Sequence, residues 1–253
     1  MGTDGDRWDA FRRAPQAAAI LTDFDGTLSA IVDDPSSARP LDGVPALLDE
    51  LADRYALVAV LSGRPVAFLQ QFLSERIVLS GLYGLEVARQ GRRVDHLLGG
   101  AWREVVADVT AAAEAHGPDG MRVEPKGLSL TVHYRGAPGL EAAVREWAER
   151  EAARSGLLVR DARMSVELHP PIAADKGTAV AELAGSFDAV CFIGDDRGDL
   201  PAFAALEALA AGGATTVRVA VRSDEAPPEL LDRADLVVDG PEGAAALLRD
   251  LLA

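Results

Sequence analysis

Two short apolar runs each end in a burst of acids. Ala17-Ala18-Ala19-Ile20-Leu21 leads into Asp23-Phe24-Asp25-Gly26-Thr27, and Ala189-Val190-Cys191-Phe192-Ile193 leads into Gly194-Asp195-Asp196-Arg197-Gly198-Asp199. An apolar run this short, closed by turn-forming residues, reads as a strand buried in a parallel sheet. Ligands of open α/β sheets gather at the carboxyl ends of such strands, so acids placed there ask for a chemical reason. Asp23 and Asp25 taken alone can begin a turn or cap a helix. An EF-hand does not fit, because Gly26 falls fourth and position twelve is Asp34. Asp195, Asp196 and Asp199 repel one another unless cations compensate, and one helix cap does not use all three. A hard divalent cation of the Mg²⁺ type, which takes one or two carboxylates and keeps several waters, is therefore expected among these acids.

Lysine usage sharpens this. Of 25 basic side chains only Lys126 and Lys176 are lysine. A lysine kept against such a bias suggests a site that wants a compact ammonium on a flexible stem rather than a planar fork. Lys176 follows Asp175, which has the position of an N-cap for a helix through Leu183. A cation in a first helical turn opposes the helix dipole unless an anion sits nearby, and phosphate is the obvious candidate. Leu61-Ser62-Gly63-Arg64-Pro65 follows the strand-like Ala56-Leu57-Val58-Ala59-Val60. There a Ser hydroxyl and backbone amides open a helix, a ready anion site, although Ser62 is also an ordinary N-cap.

The rest of the chain repeats the strand-then-helix rhythm. Apolar segments at 17–22, 56–61, 77–80, 188–193, 217–221 and 235–238 alternate with helical patterns at 43–54, 65–74, 176–185, 200–211 and 241–252. This predicts an α/β fold, a doubly wound parallel sheet with a Rossmann-like core. The middle breaks the rhythm with a helical pattern from Trp102 to His116, strand-like runs near 121–135, a helix over 140–154 and two runs near 157–169. That is an inserted, smaller α+β cap domain. Gly99-Gly100 and Pro170-Pro171 punctuate its ends, giving residues 1–99 with 170–253 as the core and 100–169 as the cap. An insertion between the strands bearing Ser62 and Asp195 is expected to act as a lid over the catalytic strand ends.

These pieces in this order (Asp23-Phe24-Asp25-Gly26-Thr27, Ser62-Gly63-Arg64, Lys176, Gly194-Asp195-Asp196) resemble the haloacid dehalogenase-like phosphatase superfamily. The resemblance narrows to the trehalose-6-phosphate phosphatases. It is carried by Phe24 through Ser29, Ile31 through Pro35, Gly81-Leu82-Tyr83-Gly84-Leu85-Glu86, Arg122 through Lys126, Leu130 through Arg135, and Val166-Glu167-Leu168-His169-Pro170-Pro171. It implies Asp23 as nucleophile toward phosphorus and Asp25 as general acid and base. Ser62 and Lys176 would hold phosphate oxygens, and Gly63 and Arg64, in the turn with Ser62, would bind the substrate beside them. Asp23, Asp25 through its backbone carbonyl, and Asp195 would ligate Mg²⁺, with Asp196 and Asp199 acting around the metal or its waters. Glu124, Lys126 and Glu167 match the residues that hold sugar hydroxyls in that family; on alternation alone the two glutamates are also polar outward positions of half-buried strands. The chain departs from the family twice. The family usually carries His within the segment that here reads Leu82-Tyr83, and Thr-Asp-Glu where this chain has Gly198-Asp199-Leu200. The implied reaction is hydrolysis of trehalose 6-phosphate. Another sugar phosphate or a glycosyl-phosphoglycerate is the alternative substrate. A non-catalytic sugar-phosphate sensor is the alternative from another class, against which the intact Asp23, Asp25 and Lys176 speak.

A formal net charge of −15 opposes sequence-independent binding to nucleic acid or anionic lipid. The single cysteine, Cys191, excludes an intrachain disulfide and reads as core packing. His96, His116, His133 and His169 lack zinc-ligand spacing, and their default reading is packing or surface. No signal-peptide-like or membrane-spanning run is seen, so a cytoplasmic monomer acting on a small sugar phosphate is the expectation.

Overall fold

The computed structural model describes residues 4–32, 34–95, 100–162, 164–223 and 226–253. His96 and Gly99 lie outside them, as does Asp33. The chain divides into two compact units, Met1–Val94 with Ala174–Ala253, and Asp95–Ala173.

The first unit is built on strands β1 (Ala18–Thr22), β2 (Leu57–Leu61), β3 (Val78–Gly81), β4 (Glu86–Arg89) and β5 (Arg92–Asp95). After the second unit, which contributes β6 to β9, come β10 (Ala189–Gly194), β11 (Thr215–Arg222) and β12 (Leu236–Asp239). The sheet order is β12-β11-β10-β1-β2-β3-β4-β5, with all pairs from β12 to β3 parallel and β4 antiparallel to β3. The chain thus fills one side from β1 to β3 and the other from β10 to β12. The topological switch point lies between β1 and β10, where open α/β sheets bind ligands.

Alternation within single strands shows why both faces are buried. Ala18 and Ile20 of β1, Val58 and Val60 of β2, and Cys191 and Ile193 of β10 join one apolar cluster. Helices α1 (Asp4–Arg13), α2 (Val44–Arg54), α3 (Val66–Leu69) and α9 (Gly240–Asp250) close that face. Ala19, Leu21, Ala59, Leu61, Val190 and Phe192 face the other way, against α6 (Lys176–Ala184), α7 (Leu200–Ala211) and α8 (Pro228–Arg233). Period-2 strands with a helix on each face are the doubly wound fold expected from the rhythm.

The structure adds elements the apolar rhythm did not signal. Helix α1 enters the core through Trp8 and Phe11, one turn apart on an otherwise polar segment. The hairpin β4-β5 is charged and turns on Gln90-Gly91, both with positive φ (51° and 71°). The helix expected over 65–74 closes after Leu69 and continues as turns.

In the second unit, β6 (Arg122–Pro125), β7 (Leu130–His133), β8 (Leu158–Ala162) and β9 (Ser165–His169) form an antiparallel sheet of order β6-β7-β9-β8. Helices α4 (Arg103–His116) and α5 (Glu141–Ser155) cover one face, packing Val109, Val144 and Trp147 on Leu130, Val132, Val166 and Leu168. Among the described residues no helix is long and apolar enough to cross a membrane.

Phe192 is fully buried and meets Phe203 edge-on at 6.4 Å. Truncating an aromatic in such a place leaves a cavity as well as lost transfer energy, so Phe192→Ala should cost about 3–5 kcal/mol in urea unfolding. A loss under about 1 kcal/mol would mean that this helix layer is not packed as described.

Candidate active site

Parallel register brings the acids together. Thr22 lies beside Ile193 in the β1-β10 pair, and the Asp23 amide donates to the Ile193 carbonyl at 2.8 Å, so Asp23 and Asp195 leave neighbouring strand ends. Beyond β10 the chain turns at once. Asp196 caps a short 3₁₀ turn (Arg197–Asp199) by accepting from the Gly198 amide at 2.7 Å, which swings Asp199 back under the strand end. Asp199 Oδ2 then accepts from the amides of Asp195 (2.8 Å) and Asp196 (3.1 Å). Two glycines make the space. A Cβ on Gly26, whose φ is +82°, would stand 2.0 Å from Asp195 Oδ2, and one on Gly194 would stand 2.3 Å from Asp199 Cγ.

Lys176 closes the group. Asp175 accepts from the Thr178 amide (2.8 Å) while the Thr178 hydroxyl accepts from the Asp175 amide (2.9 Å), a capping box that fixes where α6 starts. The buried Lys176 ammonium donates to Asp23 Oδ1 and to Asp199 Oδ1, both at 2.6 Å. The Thr27 hydroxyl reaches Asp195 Oδ1 at 3.4 Å. Asp23, Asp195 and Asp199 each offer a carboxylate oxygen within 4.8 Å of the others, and all three are buried. An all-oxygen donor set with three acids against one ammonium fits a hard divalent cation, and these are the residues that can hold one.

The electrostatics carry the same message. Burial pushes Asp23 well above the ordinary carboxylate range; Lys176 restrains the rise, and Asp199, Asp195 and Asp196 reinforce it. Burial, with Asp199 and Asp196 beside it, pushes Asp195 up to about 7. Burial also raises Asp199 against the pull of Lys176. Burial disfavours the Lys176 charge, yet Asp199 and Asp23 more than offset that and hold the ammonium well above its usual range.

The other sequence-predicted residues fall in three places. Asp196 is exposed and serves as the cap just described, outside the three-acid group. Asp25 also lies outside that group; its carboxylate is gripped bidentately by Arg64, Nε at 2.8 Å and Nη2 at 2.6 Å, while the guanidinium stacks 4.4 Å over Phe68. Ser62 and Gly63 occupy the turn after β2, next to β1, with Ser62 buried and its hydroxyl accepting from the Arg64 amide at 3.0 Å. Because α3 has only four residues, this is a turn rather than the mouth of a full helix.

Glu124, Lys126 and Glu167 belong to the second unit. Glu124 and Glu167 lie in one cross-strand row, Glu124-Thr131-Glu167-Arg160, on the sheet face opposite α4 and α5. The Ser129 hydroxyl donates to Glu167 at 2.8 Å, and Glu124 Oε2 lies 2.7 Å from His133 Nε2. Lys126 follows β6 and its amide donates to the Ser129 carbonyl at 2.9 Å. The His133 contact was not anticipated from the sequence. Its signal was there in the hairpin register, which makes Glu124 and His133 diagonal cross-strand neighbours.

The family model for trehalose-phosphatase matches residues 21–232, from the end of β1 through α8. The chain belongs to the trehalose-phosphatase family. It is 33% identical over 223 residues to a trehalose-phosphate phosphatase of Mycobacterium ulcerans, covering 82% of this chain and 54% of that protein. With that of Mycobacterium leprae it shares 33% identity over 228 residues, covering 82% and 51%. It is 35% identical over 229 residues to a protein of Mycobacterium tuberculosis named as an uncharacterized glycosyl hydrolase, of which it covers only 16%. The chain thus spans about half the length of the curated trehalose-phosphate phosphatases it matches. The C-terminal domain of the Candida albicans trehalose-6-phosphate phosphatase has the same fold, with TM-score 0.76 over 98% of this chain and 96% of that one at 23% identity.

The raised carboxylates make a prediction. Unfolded chain releases the Asp195 proton near the ordinary 3.8, whereas the folded site keeps it to about 7. Folded protein therefore binds more protons between those values, and stability present below them is lost as pH rises through 7. The metal-free Tm should fall between about pH 5 and pH 8, and millimolar Mg²⁺ should restore it most at the upper end. A flat profile with no Mg²⁺ effect would contradict this charge balance.

Proposed function

We propose that this chain is a divalent-cation-dependent phosphatase that hydrolyses trehalose 6-phosphate to trehalose and inorganic phosphate through an aspartyl-phosphate on Asp23. The observation that carries the reading is the buried Asp23 carboxylate, hydrogen-bonded to the lone ammonium of its site and flanked by two further acids. A carboxylate attacking a phosphate dianion meets like-charge repulsion, which only cations and oriented donors remove. Asp23, Asp195 and Asp199 would hold Mg²⁺, which supplies countercharge to the phosphoryl oxygens when bound.

The chain's own residues do the rest. Asp23 Oδ forms the bond to phosphorus as the bond from phosphorus to the sugar oxygen breaks, and Asp25 delivers the proton that oxygen needs. Asp25 then takes a proton from water, whose oxygen attacks phosphorus and releases the Asp23 carboxylate. With Arg64 on both oxygens, Asp25 has to leave that fork before it can face the sugar oxygen. The fork released in this way is a bidentate match for phosphate, consistent with Arg64 joining Ser62, Gly63 and Lys176 in holding it. Core and cap are the roles we assign to the two units. In the cap, Glu124 and Glu167, each already oriented by a neighbour, together with Lys126, would take sugar hydroxyls.

The second reading, another sugar phosphate or a glycosyl-phosphoglycerate as substrate, is favoured by the departure at Leu82-Tyr83, a segment within which the family usually carries His. It shares the core chemistry and differs in the sugar. A panel of trehalose 6-phosphate, glucose 6-phosphate, sucrose 6-phosphate and mannosyl-phosphoglycerate, with Mg²⁺ or EDTA, separates the two. Strong preference for trehalose 6-phosphate is expected, with Asp23→Asn losing at least about 10³-fold in kcat. Wild-type turnover by Asp23→Asn would remove the nucleophile assignment. Binding without phosphate release would favour a sensor.

A further inference from the structure

We propose that the Tyr83 hydroxyl is a further phosphate-binding group of this site, donating to a non-bridging oxygen of the bound phosphate monoester; the inference rests on the phosphatase reading above. The turn that carries it is strained. Leu82, Tyr83 and Gly84 follow β3 with φ of 50°, 58° and 103°, three consecutive left-handed residues of which only the last is glycine. Non-glycine residues hold that conformation only where the surroundings over-determine it, and such strain clusters at ligand sites.

What over-determines it here is contact with both elements assigned to phosphate. The Leu82 amide donates to the Arg64 carbonyl (3.0 Å) and the Tyr83 amide to the Ser62 carbonyl (3.1 Å), which binds the turn to the Ser62-Gly63-Arg64 segment. On its other side the turn meets the start of α6. A Cβ on Gly84 would stand 3.7 Å from Ala179 Cβ and 3.9 Å from the Asp175 carbonyl, one residue before Lys176.

The phenol end is placed as closely as the backbone. A Cβ on Gly63 would lie 2.7 Å from the Tyr83 hydroxyl oxygen and 2.8 Å from the ring carbon that bears it. The hydroxyl therefore occupies the space that any other residue at position 63 would fill, against the backbone of the Ser62 turn. Tyr83 as a whole is half-buried. An O–H beside a turn that holds an anion is a donor to that anion, and a hydrogen bond to a charged partner is stronger than a neutral one.

Tyr83→Phe keeps the ring, the backbone and the contact with Gly63, and removes only the donor. Four quantities should be measured for wild type and variant: kcat/KM for trehalose 6-phosphate, kcat/KM for the sugarless ester p-nitrophenyl phosphate, the inhibition constant of inorganic phosphate, and Tm. The hydroxyl is expected to matter by a common factor of roughly tenfold in the first three, with Tm unchanged. Unchanged constants in Tyr83→Phe would overturn the proposal. So would a loss confined to the sugar ester, or one accompanied by a lowered Tm. If wild type hydrolyses p-nitrophenyl phosphate but not trehalose 6-phosphate, the substrate reading fails, while the Tyr83 comparison is still read on the sugarless ester and on phosphate.

Discussion

One ammonium among three buried carboxylates is the interaction on which the first unit is organised. Lys176 reaches Asp23 and Asp199 at 2.6 Å each, and the third acid, Asp195, adds charge that the lysine alone does not balance. A buried charge without a partner is costly enough that a chain protonates it or supplies a cation. The surrounding backbone serves this group. Gly26 and Gly194 leave room for acids where a side chain would stand, the Asp175-Thr178 capping box sets Lys176 in the first turn of α6, and the Asp196 cap folds Asp199 back toward Asp195. The parallel pairing of β1 with β10 at the switch point is what makes these distant segments neighbours.

Much of this was legible in the sequence. The paired apolar runs ending in aspartates carried the strands, and the retention of lysine against an arginine bias pointed to Lys176 before any geometry was known. The N-cap role of Asp175 was readable from its place before an apolar helix. What the sequence could not supply was the division of labour among the acids. Asp195, Asp196 and Asp199 look alike in a line, but the 3₁₀ turn sends Asp196 outward to cap it and Asp199 inward to the lysine. Arg64 read as an anion ligand beside Ser62, whereas its fork closes on Asp25, a partner that only the β1-β2 neighbourhood provides.

Elements whose signal is not apolar periodicity were also hidden. The β4-β5 hairpin carries charges on short strands and is set by a two-residue turn of positive φ, and α1 depends on two aromatic anchors in a polar segment. The contact between Glu124 and His133 arises from hairpin register, and the strain of Leu82-Tyr83 has no composition signature at all. Within the second unit, one sheet face is apolar and packed on helices, while on the other Glu124 is held by His133 and Glu167 by Ser129. That arrangement orients carboxylates at little entropic cost to whatever they bind.

The central claim is that this balance of charge leaves Asp23 as the group that bonds to phosphorus. The direct measurement is rapid acid quench of the Mg²⁺-loaded protein during turnover of trehalose 6-phosphate, followed by mass spectrometry of its peptides. The account predicts one phosphoryl group on the peptide containing Asp23, absent with EDTA and absent in Asp23→Asn. Steady turnover with no phosphorylated peptide, or with the phosphoryl group on another residue, would contradict it.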